Sequence, residues 1–403
     1  MLRMLEDYIE VVGDNIVADI HKKARKLYDK HIIQINSTFI GGGVAEILSC
    51  LVPMMNDVGI DTGWRVVHGN AAFYNITKKI HNGLQSAEMD LSDMERELYT
   101  EVNEEFASYT HLNHDCIIMH DPQPLPLIHY IKKRQPWIWR CHIDLSEPNK
   151  KLWEFLKNFM LRYDVIIISR EEYKKKDLPV AQRVIAPAID PLSIKNHSMS
   201  EQDIAYYIKE ACIPTDKPII TQVSRMDIWK DPEGVLEIYE KVRKKVDCRL
   251  LYCYNLASDD PEGMEIYNRI LHKAKDLVEK GDVLFVMGNN EFLVNAIQRI
   301  SSVIIQKSTK EGFCLAVTES LWKSKPVVAS RVGGIPSQIV DGVTGFLVDP
   351  YDYDGFSDRI ISLLHDEKLA DEMGKKAKEY VRENFLVTRL MGDYLDLINE
   401  LIN

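Results

Sequence analysis

Residues 310–319 read Lys310-Glu311-Gly312-Phe313-Cys314-Leu315-Ala316-Val317-Thr318-Glu319. An apolar, strand-like run from Ser302 to Gln306 precedes them, and a short amphipathic helix is predicted to follow, ending near Trp322 and Lys323. The order is therefore strand, glycine-containing loop, helix. Free backbone N–H groups and the positive end of a helix dipole face the mouth of the sheet at such a junction. Phosphates bind there in open α/β sheets. Glu311 and Glu319 frame the turn. A carboxylate beside a phosphate needs another partner, and sugar hydroxyls suit it, since it accepts from two neighbouring hydroxyls. An ordinary helix start with a solvated acid fits the pair equally well when it is taken alone.

The surrounding chain has 403 residues, enough for two or three domains, and is 45% hydrophobic and 28% charged, as soluble globular proteins are. A net charge of −11 argues against general nucleic-acid binding and against anionic membrane surfaces, but not against an anion in a locally basic pocket. No run approaches the roughly 18 apolar residues of a membrane span. The seven cysteines lack metal-ligand spacing, and Cys50, Cys248 and Cys253 lie in apolar settings. Reduced core thiols and a cytoplasmic location are expected. The first residues, Met1 to Tyr8, turn acidic too early for a secretory signal.

Residues 5 to 30 read as one or two polar helices. An α/β rhythm follows, with strands predicted at His31–Asn36, Trp64–His68, Asp115–His120, Trp137–His142 and Asp164–Ser169. Strands alternating with helices imply a largely parallel sheet. The Gly41-Gly42-Gly43 turn after the first strand lets backbone approach a ligand, or is simply a loose loop. It is not a dinucleotide fingerprint. Polar residues gather at later strand ends, at His120-Asp121-Pro122-Gln123-Pro124 and His142-Ile143-Asp144-Leu145-Ser146. Turn formation, capping or a core histidine would also account for Asp121, Asp144 and His142. Trp137, Trp139 and Trp153 are expected in the core. Residues 69 to 113, with Asn70 and Phe73 near their start, are read as a wall of an acceptor site.

A second α/β unit opens with the strand Pro218–Val223. In its exit loop, Arg225 and Lys230 stand where a diphosphate would sit, one as a fork and one as a point charge. Ordinary surface pairing with Asp227 and Asp231 is the competing reading. Strands recur at Arg249–Tyr254, Val283–Met287, Val303–Gln306, Pro326–Ala329 and Gly345–Val348. Gly333-Gly334-Ile335-Pro336 reads as a strand-to-helix turn. The rest is helical, ending in an amphipathic helix from Phe385 to Ile402.

In order, Gly41–Gly43, His142, Ser224-Arg225, Lys230-Asp231-Pro232, Glu311-Gly312-Phe313, Glu319, Gly333-Gly334 and Gly345-Phe346-Leu347-Val348 resemble the retaining nucleotide-sugar glycosyltransferases of the GT-B fold. Within them, Asn36-Ser37-Thr38, His120-Asp121-Pro122-Gln123-Pro124, Trp139 to Ser146, Thr221 to Arg225 and Asp259 to Gly263 are similar to the trehalose glycosyltransferring synthases. The resemblance implies two Rossmann-like domains facing each other across a cleft. These are an acceptor domain, 1–192, and a donor domain, 193–384, with a last helix, about 385–403, packing back onto the first. It implies reversible synthesis of trehalose from a nucleoside diphosphate glucose and glucose. No cofactor and no metal are expected, partners are small-molecule sugars and nucleotide-sugars, and a homodimer is possible.

Carried over by motif, Arg225 and Lys230 bind the diphosphate, Glu311 holds the donor glucose and Glu319 accepts from the ribose. Backbone N–H groups at Phe313, Cys314 and Leu315 meet the distal phosphate. Gly42 and Gly43 lie over the donor, and His142 sits at the glucose 6-hydroxyl. Asn36, Gln123 and Asp144 are placed near the acceptor. Cys314 departs from the glycine that many relatives carry. Transfer to another acceptor, a trehalose phosphorylase, and a non-catalytic nucleotide-sugar sensor are the competing functions.

Overall fold

The computed structural model describes residues 3–255 and 261–402. The segment 256–260 lies outside them, and with it Asp259 and Asp260 of the motif quoted above. The chain divides into two compact units, Met1–Ala188 with Phe385–Asn403, and Ile189–Asn384.

The first unit carries β1 (His31–Asn36), β2 (Asp61–Val66), β3 (Cys116–His120), β4 (Trp137–Arg140), β5 (Val165–Ile168) and β6 (Ala181–Val184). All pairings are parallel, and the order is β2-β1-β3-β4-β5-β6. Ile-rich runs such as Cys116–His120 are buried along their whole length, as parallel strands covered on both faces must be. Trp137, Trp139 and Trp153 lie in this core, as the sequence leads one to expect. Asn70 is spent on capping the helix Ala71–Leu84, accepting from the Phe73 N–H at 2.9 Å, and Phe73 is in the core. Phe73, having no exposed surface, therefore does not line the acceptor wall read from the sequence. The helix Val387–Ile402 packs within this unit. Arg389 donates to the Ala186 carbonyl at 2.8 Å, and Lys23 pairs with Asp396 at 2.7 Å.

The second unit carries β7 (Ile219–Arg225), β8 (Arg249–Asn255), β9 (Val283–Met287), β10 (Val303–Gln306), β11 (Val327–Ser330) and β12 (Phe346–Val348). Its order is β12-β11-β10-β7-β8-β9, again parallel. The turn at Gly333-Gly334 leads only into one 3-10 turn, Ile335–Ser337, and not into the expected helix. The buried Gln338 and the Val340–Thr344 turn, closed by Thr344 Oγ1 on the Val340 N–H at 2.8 Å, stop it there. Among the described residues no helix is long and apolar enough to cross a membrane.

The helix Glu367–Asn384 docks on the turn after Trp322 through Gly374, where a Cβ would run into the Ser324 carbonyl. Gly374→Ala is expected to destabilise the protein by about 1–3 kcal/mol, as overpacking does. Denaturant melts of the two proteins measure it, and equal midpoints would refute the close contact.

Candidate active site

In the second unit β10 and β7 are neighbours, but the chain leaves them in opposite directions, β7 towards β8 and β10 towards β11. Their carboxyl ends open a crevice that neither crossover fills, the place where ligands bind in doubly wound sheets.

The loop after β7 is built from side-chain caps. Arg225, half exposed, reaches Asp227 at 3.3 Å. Asp227 is buried and accepts from the Trp229 N–H at 2.9 Å. Gln222 holds the Lys230 carbonyl at 2.9 Å. Asp231 takes a left-handed φ of 42° and caps the helix Pro232–Val242 through the Gly234 N–H at 3.0 Å. Its other oxygen pairs with Lys307, which has no exposed surface and lies 4.5 Å above the Tyr353 ring. Lys230 pairs with Glu311 instead. The surface pairing of Lys230 with Asp231 read from the sequence is thus replaced, because the left-handed turn at Asp231 sends consecutive side chains to different partners. Burial opposes the charge on Lys230, but Glu311 outweighs it and holds the ammonium above its ordinary pKa.

The loop after β10 supplies Ser308, 3.4 Å from Glu311 Oε2, and then Gly312 and Phe313. The Gly334 N–H donates to the Glu311 carbonyl at 3.1 Å. A Cβ on Gly334 would stand 2.6 Å from the Phe313 Cα, so only glycine permits this approach. Cys314 is the N-cap of the helix Leu315–Trp322 with φ 77°, a conformation that favours glycine. Burial, then Glu311, push its thiol up to about 12, so it is no nucleophile at neutral pH. Glu319 is buried on that helix. Lys195 donates to Oε1 at 2.9 Å and Gln298 to Oε2 at 3.2 Å. Burial opposes its charge, but Lys195 and Lys323 keep its pKa below the ordinary value. Each oxygen retains a further acceptor site.

The first unit has its own switch point, between β1 and β3. Gly41 and Gly42 both take φ 80° in open space, and Gly42 and Gly43 begin the helix Gly42–Asp57. The Asn36 amide is already engaged, donating to the Thr38 carbonyl at 2.7 Å and accepting from Trp64 Nε1 at 2.9 Å. Asp144 is buried and accepts from the Ser146 N–H at 2.8 Å, the turn-forming role that competed with ligand binding. Gln123 Oε1 is buried with no hydrogen-bond partner among the described residues. The His142 N–H donates to Asp121 Oδ1 at 2.8 Å, and its ring lies nearly parallel to that of His120, edge to edge, with centroids 5.4 Å apart. Burial, then Arg140, push His120 down to about 3. Burial, Arg140 and His120 together hold His142 well below its usual range. Burial raises Asp121 to about 6.

Lys307, Lys195 and Gln34 were not singled out by sequence reasoning. Gln34 alone carries a signal there, an amide inside an otherwise apolar strand.

Two parallel six-stranded sheets of this topology are the architecture of the GT-B fold, and the glycosyltransferase class follows from the family matches below. The solved structure "Trehalose-6-phosphate from E. coli bound with UDP-2-fluoro glucose" aligns with a TM-score of 0.76 at 14% identity, covering 92% of this chain and 99% of that one. Residues 34–175 match the family description "Trehalose synthase, N-terminal domain", and residues 204–380 match "Glycosyl transferases group 1". The trehalose synthase of Thermococcus litoralis is 46% identical over 98% of this chain and 97% of its own length. That of Rubrobacter xylanophilus is 38% identical over 99% and 97%. The chain belongs to the trehalose synthase family.

Two expectations follow. Cys314→Gly removes the left-handed strain and unfolds no more readily than the parent, whereas Cys314→Val costs about 1–3 kcal/mol. Thermal and denaturant melts decide, and an unchanged Val variant would refute the strain. The second concerns acid. An unfolded histidine protonates near pH 6.5, but His120 does so only at about 3 in the fold and His142 also lags. The unfolded state therefore binds more protons as the pH falls through 6.5, and stability is lost on acidification. Asp121, raised to about 6, acts in the opposite sense between roughly pH 4 and 6, one group against two. His120→Gln should flatten the slope of stability against pH in that window by up to about 1.4 kcal/mol per pH unit. Denaturant titrations across the window measure it, and an unchanged slope would refute the assignment.

Proposed function

We propose that the chain is a retaining, metal-independent glucosyltransferase that joins glucose from a nucleoside diphosphate glucose to free glucose, giving trehalose, and also runs in reverse. One observation carries this reading. Lys230 and Glu311 lie against one another at the switch point. A diphosphate on Lys230 and a glucosyl ring on Glu311 are then adjacent, as they are within one nucleotide-sugar.

The difficult step is cleavage of the bond between C1 and the phosphate oxygen, through an oxocarbenium-like state. The β-phosphate gains negative charge as that bond breaks. Arg225, Lys230 and the N–H groups opening the helix Leu315–Trp322 oppose the charge as preorganised donors. The acceptor hydroxyl attacks C1 from the leaving-group face, and its proton passes to the departing phosphate oxygen. No carboxylate nucleophile is needed, and Glu311 is assigned to the ring hydroxyls. Glu319 takes the ribose hydroxyls on its remaining acceptor sites, and His142 takes the glucose 6-hydroxyl. Cationic side chains stand in for a metal.

Incubation with trehalose and a mixture of UDP, ADP and GDP, with phosphate in a parallel tube, tests the reaction. Nucleotide-glucose plus free glucose is the expected product and identifies the base. Glucose 1-phosphate from the second tube would make the protein a phosphorylase instead. Lys230→Ala is expected to lower kcat by roughly 10²–10³. A loss confined to KM would remove Lys230 from the transition state.

A further inference from the structure

Gln34 occupies the middle of β1, a strand buried on both faces, and has no exposed surface. A buried amide there needs a polar partner. Gln34 Oε1 lies 2.7 Å from His120 Nε2, and His120 Nδ1 lies 3.0 Å from His142 Nε2. Strand register brings these groups together, since β1 and β3 are neighbours and His120 stands opposite Arg140 on β4. The amide and two rings form one hydrogen-bonded chain that ends at His142.

The chain has a direction. An amide oxygen only accepts, so His120 holds its proton on Nε2. The Nδ1 of a neutral ring protonated on Nε2 is a bare acceptor, so His142 donates to it from its own Nε2. His142 Nδ1 is then left unprotonated, and among the described residues the His142 side chain makes no other hydrogen bond. Arg140, 1% exposed, resists a second positive charge on either ring.

We propose that Gln34 and His120 are positioning residues that hold His142 as a neutral imidazole protonated on Nε2, so that Nδ1 accepts a hydrogen bond from a hydroxyl of the bound glucosyl group. The hydroxyl partner rests on the glucosyl-transfer reading above; the tautomer does not. Among the described residues the Gln34 Nε2 donors meet no acceptor. Gln34→Glu removes those donors and keeps the accepting oxygen, whereas Gln34→Met removes the acceptor.

The full chain, labelled with ¹⁵N-histidine, is studied by long-range ¹H–¹⁵N correlation at about pH 8, well above the ordinary histidine pKa. His120→Gln and His142→Gln assign the signals. Both rings are expected as Nε2–H tautomers, in the parent and in Gln34→Glu, with Gln34→Met releasing His120 into a mixture. In steady state Gln34→Met lowers kcat roughly tenfold with little change in donor KM, and Gln34→Glu restores it. A His142 protonated on Nδ1, as a reversed amide would impose, or an imidazolium, overturns the proposal. Equal losses of kcat in the Met and Glu variants overturn the positioning role. Failure of the glucosyl-transfer reading shows differently, as no trehalose or nucleotide-glucose from the parent while the tautomer signals stand.

Discussion

Lys307 has no water to face, and its charge is met by Asp231 and the Tyr353 ring. That constraint fixes the second unit's site. It joins the loop after β10 to the loop after β7, and it holds Asp231 in a left-handed turn that a free aspartate would seldom keep. With Asp231 turned inward, Lys230 is carried to Glu311. Buried ion pairs add little net stability, because desolvation takes back most of the Coulomb gain. We read this one as a specification of geometry, since breaking it frees the loop that positions Lys230.

At the ends of β3 and β4 the first unit's buried polar groups meet without an ion pair among the described residues. Arg140 is buried with Nε and Nη1 unmet by protein acceptors among the described residues, and Ser169 Oγ lies 3.4 Å from Nη2. Burial first, and then this poorly held cation, keep both neighbouring imidazoles neutral. The second unit thus sets Lys230 against Glu311 at its switch point, whereas the first sets two neutral imidazoles beside Arg140 and Asp121.

Much of this was legible in the sequence where local chemistry decides. His31–Asn36, Val283–Met287 and Val303–Gln306 are strands to the residue, because short runs rich in Val and Ile mark a strand whether it is buried, as Val303–Gln306 is, or half-exposed, as Val283–Met287 is. The loops carrying Lys230 and Glu311 followed from strand-end position, while Arg225, read as a loop residue, is the last residue of β7. What escaped depended on pairing across the sheet. Lys307 is one lysine after a strand until β7 is known to lie beside β10. Asn36 was read as a ligand-site residue, yet its amide closes its own turn and meets Trp64. The partners that distinguish a free amide from an occupied one are non-local, so no window of sequence contains them.

The strained turn at Cys314 belongs to the same logic. A trans peptide is planar, so its carbonyl and its N–H point in opposite directions. The Glu311 carbonyl is drawn to the Gly334 N–H, and the Phe313 carbonyl to the Gln338 amide. The N–H groups of Gly312 and Cys314, which share those peptide planes, must therefore face away from the Gly334–Gln338 segment. The Cys314 N–H precedes the helix Leu315–Trp322, whose dipole presents its positive end there. Gly334 cannot acquire a Cβ without losing the first of these contacts. The left-handed backbone at Cys314 is what lets the chain turn from that loop into the helix. In a protein of net charge −11, the positive potential at this turn comes not from a basic surface but from backbone dipoles and the few cations held beside it.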